Sequence, residues 1–298
     1  MIPYQLYTTY ESNRDRRKRY SNENHKYHDP GVLIGNWFED RARIEAETED
    51  ILHKFSKNGL AFQILDKYVS FLSKPIHLTR NTDGFLHHGD IVRLKWTDEK
   101  NGVFYLAALP LKLENDGSFG EPCLALGTRD SKITERSAFH IFRNNNDISN
   151  QVPLMYDERV LICTTEITGR RILNCEPKTF FKFAKQSGHQ EVTWVRELSS
   201  RGLWKVLHVE KNKRLWTRGQ YIPVNTNIVI CHLSTGQRLA LERETSISTS
   251  FGKEKEVSGH SYEDNHKTEG IENVWQFEAP LIKEEEYGQP MNIPQCTL

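Results

Sequence analysis

Histidines and carboxylates that lie close together in a sequence could bind a metal, because imidazole and carboxylate groups are common zinc ligands. The chain has 298 residues and twelve histidines, and His87 and His88 are adjacent, with Asp90 two residues further on. Adjacent side chains of a regular strand point to opposite faces, so His87 and His88 could not both ligate one ion from a strand. We therefore favour hydrogen-bonded strand ends over a metal site at these residues.

A second candidate group contains His260, Asp264 and His266, in and beside the polar loop 261–270. Loop side chains could converge on an ion, but a solvated loop is the simpler interpretation of this composition. The sequence contains no phosphate-binding glycine loop, nucleophile elbow or H-E-x-x-H pair, so catalysis has no sequence support. We expect a protein without metal, cofactor or enzymatic activity.

Basic side chains are concentrated near the N-terminus, where Arg16 and Arg17 belong to the run 14–19. Such runs are often solvated tails, and they also suit an acidic protein surface or a nucleic acid. The chain has 40 basic and 40 acidic residues, so no net charge draws it towards nucleic acid or an anionic membrane. We therefore favour an acidic protein partner for Arg16 and Arg17, and expect no nucleic-acid or membrane partner.

The elements that position these residues fall into four parts. Residues 1–30 are polar with scattered tyrosines, and we interpret them as an extended arm, either a disordered tail or a segment that orders on a partner. Residues 31–80 are expected to form an N-terminal strand and a helical segment, 81–279 a β domain, and 280–298 a tail rich in proline and glutamate.

Two bulk features bear on the cellular compartment. The sequence has no apolar run long enough for a secretory signal or a membrane span. Its five cysteines are odd in number and widely spaced, which favours reduced and mostly buried thiols. We expect a soluble intracellular protein.

Helical spacing of apolar residues extends from about Glu39 to Phe71. Glycine is rare in this stretch and proline is absent from it, which favours helix. One or two helices are expected, with an interruption near Asn58 and Gly59.

An internal repeat dominates the remainder of the chain. Glycines in three predicted hairpin turns, Gly102, Gly169 and Gly236, are separated by 67 residues in both intervals (169 − 102 and 236 − 169). Each unit offers a hairpin, a third strand and a closing strand, and the turn glycine can adopt a positive φ at no steric cost. Three such units give about twelve strands.

The closing strands carry large aromatic residues, Phe139, Trp204 and Trp275, which we predict to be equivalent core positions. One unit cannot bury its apolar face alone, but three units around a pseudo-threefold axis can close a small barrel with a hairpin cap. The sequence therefore predicts an all-β domain of the β-trefoil type. The alternative is an ordinary β-sandwich with coincidental spacing.

The third unit also resembles a known repeat. Its segment 228–239, followed by Glu256 and Val257 and closed by Trp275, is similar to the MIR repeats of inositol trisphosphate receptors and protein mannosyltransferases. This resemblance implies a trefoil fold and no particular function.

Three stretches carry a more specific resemblance: 31–40 (Gly-Val-x-Ile-Gly-Asn-Trp-x-Glu-Asp), 83–90 (Asp-Gly-x-x-His-x-Gly-Asp) and 248–257 (Ser-Thr-x-Phe-Gly-Lys-Glu-x-Glu-Val). With His260, Tyr262, His266 and Trp275, they resemble the family of cilia- and flagella-associated protein 161, microtubule inner proteins of the ciliary doublet. The resemblance extends from about residue 31 to 275, with a divergent middle at 111–218.

This resemblance implies a structural protein without enzyme activity. Such a protein would bind the lumenal wall of the doublet A-tubule in the ciliary axoneme and contact α/β-tubulin and other microtubule inner proteins. It would stabilise the axoneme and contribute to ciliary motility. The alternative is a carbohydrate- or protein-binding trefoil outside the axoneme.

The matching positions are expected to contribute to the fold or to partner contacts. Phe251 and Lys253 are candidates within the third unit. Gly35, Asn36 and Trp37 are expected either to dock the N-terminal strand onto the trefoil or to contact a partner.

Overall fold

The computed structural model describes residues 33–111, 120–144 and 152–281. The predicted arm 1–30 and nearly all of the predicted tail 280–298 therefore lie outside the described residues. Within the described part, the structure is mostly β, with a helical segment at its N-terminal end.

Two helices precede the β domain, α1 at Leu33–Ser56 and α2 at Ala61–Leu72. They are separated at Asn58, which has φ 52°, and Gly59, as the sequence predicts. The expected N-terminal strand is wrong for these residues, because the helix already begins at Leu33. Helix growth is cooperative, so the strong helix formers after residue 38 favour extension of the helix back through the preceding apolar run.

The two helices differ in what they contact. Every described side chain of α1, from Glu39 onward, is exposed. Helix α2 packs Tyr68 and Leu72 against Leu109 and Leu126 of the β domain, in a small apolar cluster separate from the main core. Helix α2 is thus part of the body, whereas α1 presents its surface to solvent.

Thirteen strands follow in the described residues. Their bounds are β1 Ile91–Asp98, β2 Gly102–Pro110, β3 Cys123–Thr128, β4 Phe139–Arg143, β5 Arg159–Thr164, β6 Ile172–Cys175, β7 Gln190–Val195, β8 Trp204–His208, β9 Asn227–His232, β10 Leu239–Leu241, β11 Ile247–Thr249, β12 Gly252–Gly259 and β13 Val274–Glu278. A four-residue helix, α3, occupies Arg214–Thr217 between β8 and β9. The twelve predicted strands are all present, and the short β11 is additional.

Six strands pair into a closed ring in the order β1, β4, β5, β8, β9, β13 and back to β1, with every pair antiparallel. Closure removes the open edges that a β-sandwich would have. A closed ring of this kind is not the two-layered β-sandwich that was the alternative interpretation of the sequence.

Three hairpins cover one end of this ring: β2 with β3, β6 with β7, and β10 with β12. Their outer strands also pair with one another, β3 with β7, β7 with β12, and β12 with β3. These mutual pairings form a three-sided cap. The described helices include none that is long and apolar enough to cross a membrane.

Three backbone hydrogen bonds form a cycle among fully buried residues 68 positions apart. The amide of Leu86 donates to the carbonyl of Ile222 (2.9 Å), that of Leu154 to Leu86 (2.7 Å), and that of Ile222 to Leu154 (2.9 Å). Each of the three segments thus donates one hydrogen bond to a second segment and accepts one from the third. These bonds hold together the three connections that enter the ring.

The closing aromatic residues Phe139, Trp204 and Trp275 are all buried in the main core, as predicted. The indole N–H of Trp204 donates to the carbonyl of Leu173 (2.8 Å), and that of Trp275 to the carbonyl of Leu239 (2.9 Å). These bonds tie the wall of the ring to the hairpin cap. The turn glycines Gly102, Gly169 and Gly236 all adopt positive φ, between 72° and 89°.

Candidate partner-binding surfaces

The stretch 248–257 forms a clamp on helix α2. The ring of Phe251 lies 6.4 Å from that of Tyr68 on α2, and the Arg136 guanidinium stacks 3.9 Å from the centroid of the same Phe251 ring. Arg136 forms an ion pair of 2.8 Å with Glu254, and both side chains are at most 3% exposed. Thr249 donates a further hydrogen bond to Glu254 (3.0 Å).

A further bond joins helix α2 to the β domain, since the Tyr68 hydroxyl donates to the carbonyl of Pro110 on β2 (2.6 Å). Burial, as the largest effect, raises the pKa of Tyr68 well above its ordinary value, so this phenol stays protonated and remains a donor. Much of this motif therefore joins α2 to the barrel. The contacts of Phe251 are internal, whereas Lys253 is exposed on β12 and available to a partner.

The remaining sequence-predicted contact residues lie at the N-terminal end. Gly35, Asn36 and Trp37 fall in the first turns of α1. Arg16 and Arg17 lie outside the described residues. The structure therefore brings none of these five together with Phe251 and Lys253 in one described site.

Helix α1 presents an apolar stripe. Ile44, Ile51 and Phe55 lie within about 40° of one another around the helix axis, because they are spaced seven and four residues apart. They are 59%, 51% and 53% exposed. Ion pairs such as Arg41 with Glu45 (3.0 Å) lie on the same helix, and each contributes only about 0.3–0.5 kcal/mol. A long helix held in this way usually owes its stability to a covered apolar face.

The stretch 83–90 is a hydrogen-bonded loop. The Asp90 carboxylate accepts from the backbone N–H of His87 (2.8 Å) and from the Asn81 amide (3.3 Å). His87 also lies 3.1 Å from Asp83, while Nδ1 of His88 accepts from the backbone N–H of Arg143 (2.9 Å). The two histidines therefore serve different structural partners, and they hold the loop that carries Leu86 into the axial hydrogen-bond cycle.

His260 does not meet Asp264 and His266. Asp264 accepts from the backbone N–H of His266 and of Thr268, each at 2.8 Å, in an exposed turn. His260 instead stacks on His189, with ring centroids 3.8 Å apart and planes at 2°. Among residues 33–111, 120–144 and 152–281, no group of three or more histidines, cysteines and acids is arranged to hold a metal.

The histidine stack lies over a buried carboxylate, Glu242. His189 Nδ1 lies 2.7 Å from a Glu242 oxygen, and the hydroxyls of Ser258 and Tyr262 also donate to this carboxylate. Burial, and then the adjacent His189, lower the pKa of His260, which favours the neutral form of the His260 ring. The cluster therefore joins two hairpins of the cap through hydrogen bonds that are satisfied internally.

A cleft of about 760 Å³ opens beside Arg93 on the wall of the barrel. The guanidinium donates to the carbonyls of Ser131 (2.9 Å) and Asp130 (3.0 Å), stacks 3.4 Å from the Tyr105 ring centroid, and lies 3.6 Å from Glu278. Arg93 is only 2% exposed. These contacts make it a group that joins the chain segments around the cleft.

One exposed feature was not singled out from the sequence. The loop 176–189 between β6 and β7 carries Phe180 and Phe181, which are 87% and 92% exposed. The signal available in the sequence was three phenylalanines within four residues, 180–183, among lysines. A hydrophobicity pattern alone assigns such residues to a core, so their exposure required the structure.

These observations define a closed β-barrel protein with an N-terminal helical segment, which carries exposed apolar side chains on helix α1 and on the β6–β7 loop. The sequence profile of the cilia- and flagella-associated protein 161-like domain matches residues 68–279. Cilia- and flagella-associated protein 161 of Bos taurus is 31% identical over 259 residues, which cover 83% of this chain and 80% of the relative. The Danio rerio protein of the same name is 29% identical over 264 residues, or 84% of this chain and 87% of the relative. The chain belongs to this family of cilia- and flagella-associated proteins.

Among solved structures, the SDF2-like protein of Arabidopsis thaliana is similar to this chain with a TM-score of 0.48 and 14% sequence identity. The match covers 67% of this chain and 99% of that protein.

Proposed function

We propose that this protein is a structural microtubule inner protein that binds the lumenal wall of the A-tubule in ciliary doublets. It stabilises the axoneme and contributes to ciliary motility, without enzymatic activity. The observation that carries the proposal is membership in a family of cilia- and flagella-associated proteins, matched across residues 68–279. Its partners are α/β-tubulin and other microtubule inner proteins.

The fold that belongs to this proposal is a β-trefoil of three MIR-like repeats. The closed six-strand ring supports it, as do the three mutually paired hairpins. Leu86, Leu154 and Ile222 add a cyclic relationship with a constant spacing of 68 residues. A barrel closed in this way is stiff, which suits a component that must hold its shape within a repeated lattice.

The contact surfaces belong to the N-terminal helix and to the β12 face. The stripe of Ile44, Ile51 and Phe55 on α1 offers apolar area that a lattice partner covers. Gly35, Asn36 and Trp37 continue the same helix towards its start, and Arg16 and Arg17 extend the contact to acidic protein surface. Lys253 contributes an exposed charge.

Fractionation of isolated cilia tests this function. Cilia from cells that express the full tagged chain are treated with detergent and then with high salt, and each fraction is probed for the chain. We expect it to stay with the doublets through both steps, whereas a soluble matrix marker leaves with the detergent. Release with the matrix marker would overturn the proposal.

A further inference from the structure

The β6–β7 loop, residues 176–189, presents aromatic side chains to solvent at its tip. Phe180 and Phe181 are the most exposed large apolar residues of the described ranges. Their rings contact each other edge to face, with centroids 5.1 Å apart, and Phe183 adds a third ring that is 40% exposed. Scattered single apolar residues are normal on a surface, but three phenylalanines at one tip form a patch.

The base of this loop is fixed in place. Both oxygens of the buried Glu256 carboxylate accept backbone bonds from the loop, one from the N–H of Gln186 (3.1 Å) and one from that of Ser187 (2.7 Å). Ala184 is buried and exchanges backbone bonds with Gly188 and His189. The tip therefore stands on a support that belongs to the neighbouring β12 strand.

The tip itself is a tight turn. The backbone N–H of Thr179 donates to the carbonyl of Lys182 (3.0 Å), and the N–H of Lys182 donates back to the Thr179 hydroxyl (3.1 Å). These two bonds place Phe180 and Phe181 at the apex. Aromatic residues that are held in advance lose little conformational entropy on binding, and such residues are frequent hot spots of interfaces.

The charge around the apex is positive. Lys178, Lys182 and Lys185 are all exposed, and Glu176 is the one acidic residue of the loop. Lys182 pairs with Glu176 at 2.6 Å, while Lys178 and Lys185 have no ion pair within the described residues. The loop thus carries a local excess of positive charge on a chain whose formal net charge is zero.

We propose that the tip of the β6–β7 loop docks Phe180 and Phe181 into an apolar recess on an acidic protein surface. The phenylalanines supply the buried contact area, and Lys178 and Lys185 meet carboxylates at the rim of the recess. The inference rests on the proposed function in one respect only: the ciliary doublet is where the chain binds this partner.

Site-specific photo-cross-linking in intact ciliated cells tests this inference. The full chain carries p-benzoylphenylalanine in place of Phe180, or in place of Leu198 as a control position that is 60% exposed in the next loop. We expect position 180 to cross-link to a protein segment rich in aspartate and glutamate, at a yield well above that of position 198. Adding Phe181→Ser, or Lys178→Glu with Lys185→Glu, is expected to lower the yield about tenfold or more. Lys100→Glu, at an exposed turn of another unit, is expected to leave it unchanged.

Four results would overturn the inference. Three come from cross-linking: no adduct above the Leu198 control, an adduct whose yield neither set of substitutions changes, or an adduct confined to segments without acidic residues. A fourth is flotation of the chain with phosphatidylserine vesicles that Phe180→Ser with Phe181→Ser abolishes, because it would assign the tip to a membrane. Unchanged urea denaturation of each variant verifies folding. Because cross-linking precedes fractionation, a chain that stays with doublets but gives no adduct refutes the docking alone. An acidic adduct on a chain absent from doublets refutes the proposed function alone.

Discussion

The ring of Phe139 stacks on the indole of Trp194, with centroids 4.7 Å apart and planes at 12°. Phe139 stands where the other two closing strands have Trp204 and Trp275. Trp194 stands opposite Leu173 in its hairpin, at the position that Gly127 and Gly259 hold opposite Leu106 and Leu239. The first unit thus has Phe139 in the wall where the other units have the larger tryptophan. The second unit has Trp194 in the cap where the other units have glycine, and the ring of Trp194 packs against that of Phe139.

This exchange predicts coupled effects on stability. Phe139→Trp should lower the free energy of unfolding by about 1–3 kcal/mol through overpacking. Trp194→Gly should lower it by about 3–5 kcal/mol through a cavity. The double variant should lose less than the sum, because it restores the pattern of the other units. Urea denaturation of all four proteins measures the coupling, and losses that add to within about 0.5 kcal/mol would contradict the equivalence.

The buried pair of Arg136 and Glu254 predicts a second asymmetry. Removing one partner, as in Glu254→Leu, should destabilise the fold by about 3–5 kcal/mol, because the other charge stays buried without compensation. Replacing both, as Arg136→Met with Glu254→Leu, should recover most of that loss. Chemical denaturation gives the free energies, with the exposed pair Arg41 and Glu45 as a matched control that should change stability by less than about 1 kcal/mol. Equal losses in the single and the double variant would count against this role.

His232 predicts a dependence of stability on pH. Its Nε2 donates to the carbonyl of Arg201 (2.8 Å), so Nδ1 accepts from the Thr235 hydroxyl (2.8 Å) in the neutral ring. Burial lowers the pKa of His232 below its usual 6.5. The unfolded chain therefore takes up a proton at a higher pH than the folded chain does. Stability should be full above about pH 6.5 and should fall as the pH drops from there towards the folded pKa.

Urea denaturation at a series of pH values measures this slope. His232→Gln should flatten it in part, since burial also lowers the pKa of His88 and His260. An unchanged slope in the variant would mean that His232 is not a source of the pH dependence.

The stripe on helix α1 predicts an effect on assembly without an effect on the fold. One variant replaces Ile44, Ile51 and Phe55 with serine. Its control replaces three residues on the opposite face of the helix with serine, namely Ala46, Glu49 and His53. Isoleucine, phenylalanine and serine have similar helix propensities, whereas alanine and glutamate have higher ones, so a larger effect of the stripe variant cannot come from helix propensity. Retention in salt-washed axonemes should fall about tenfold for the stripe variant and stay near the wild-type value for the control. Similar retention of the two would remove α1 from the contact surface.

Much of the β domain could be predicted from the sequence, because its information is local and repeated. The turn glycines Gly102, Gly169 and Gly236 need positive φ wherever the hairpins lie, and their spacing fixes the units. The wall aromatics follow from the same period. The start of α1 was mispredicted as a strand, because a short apolar run such as 33–38 does not by itself distinguish strand from helix.

The surfaces were less predictable, because exposure depends on the packing of distant segments. Phe251 sits in a motif that looked like a contact site, yet Tyr68, 183 residues earlier in the chain (251 − 68), takes up one side of its ring. His260 was grouped with neighbours in sequence, whereas its stacking partner is His189 in another unit. Phe180 and Phe181 carry no label in the sequence that distinguishes them from core phenylalanines.

The central claim, that this protein is a structural component inside the ciliary doublet, is tested most directly by cryo-electron tomography of cilia with and without it. Averaged doublets should lose a density of the size of the barrel from the lumenal wall of the A-tubule, at a regular axial interval, and re-expression of the full chain should restore it. Identical averages from the two kinds of cilia would contradict the claim.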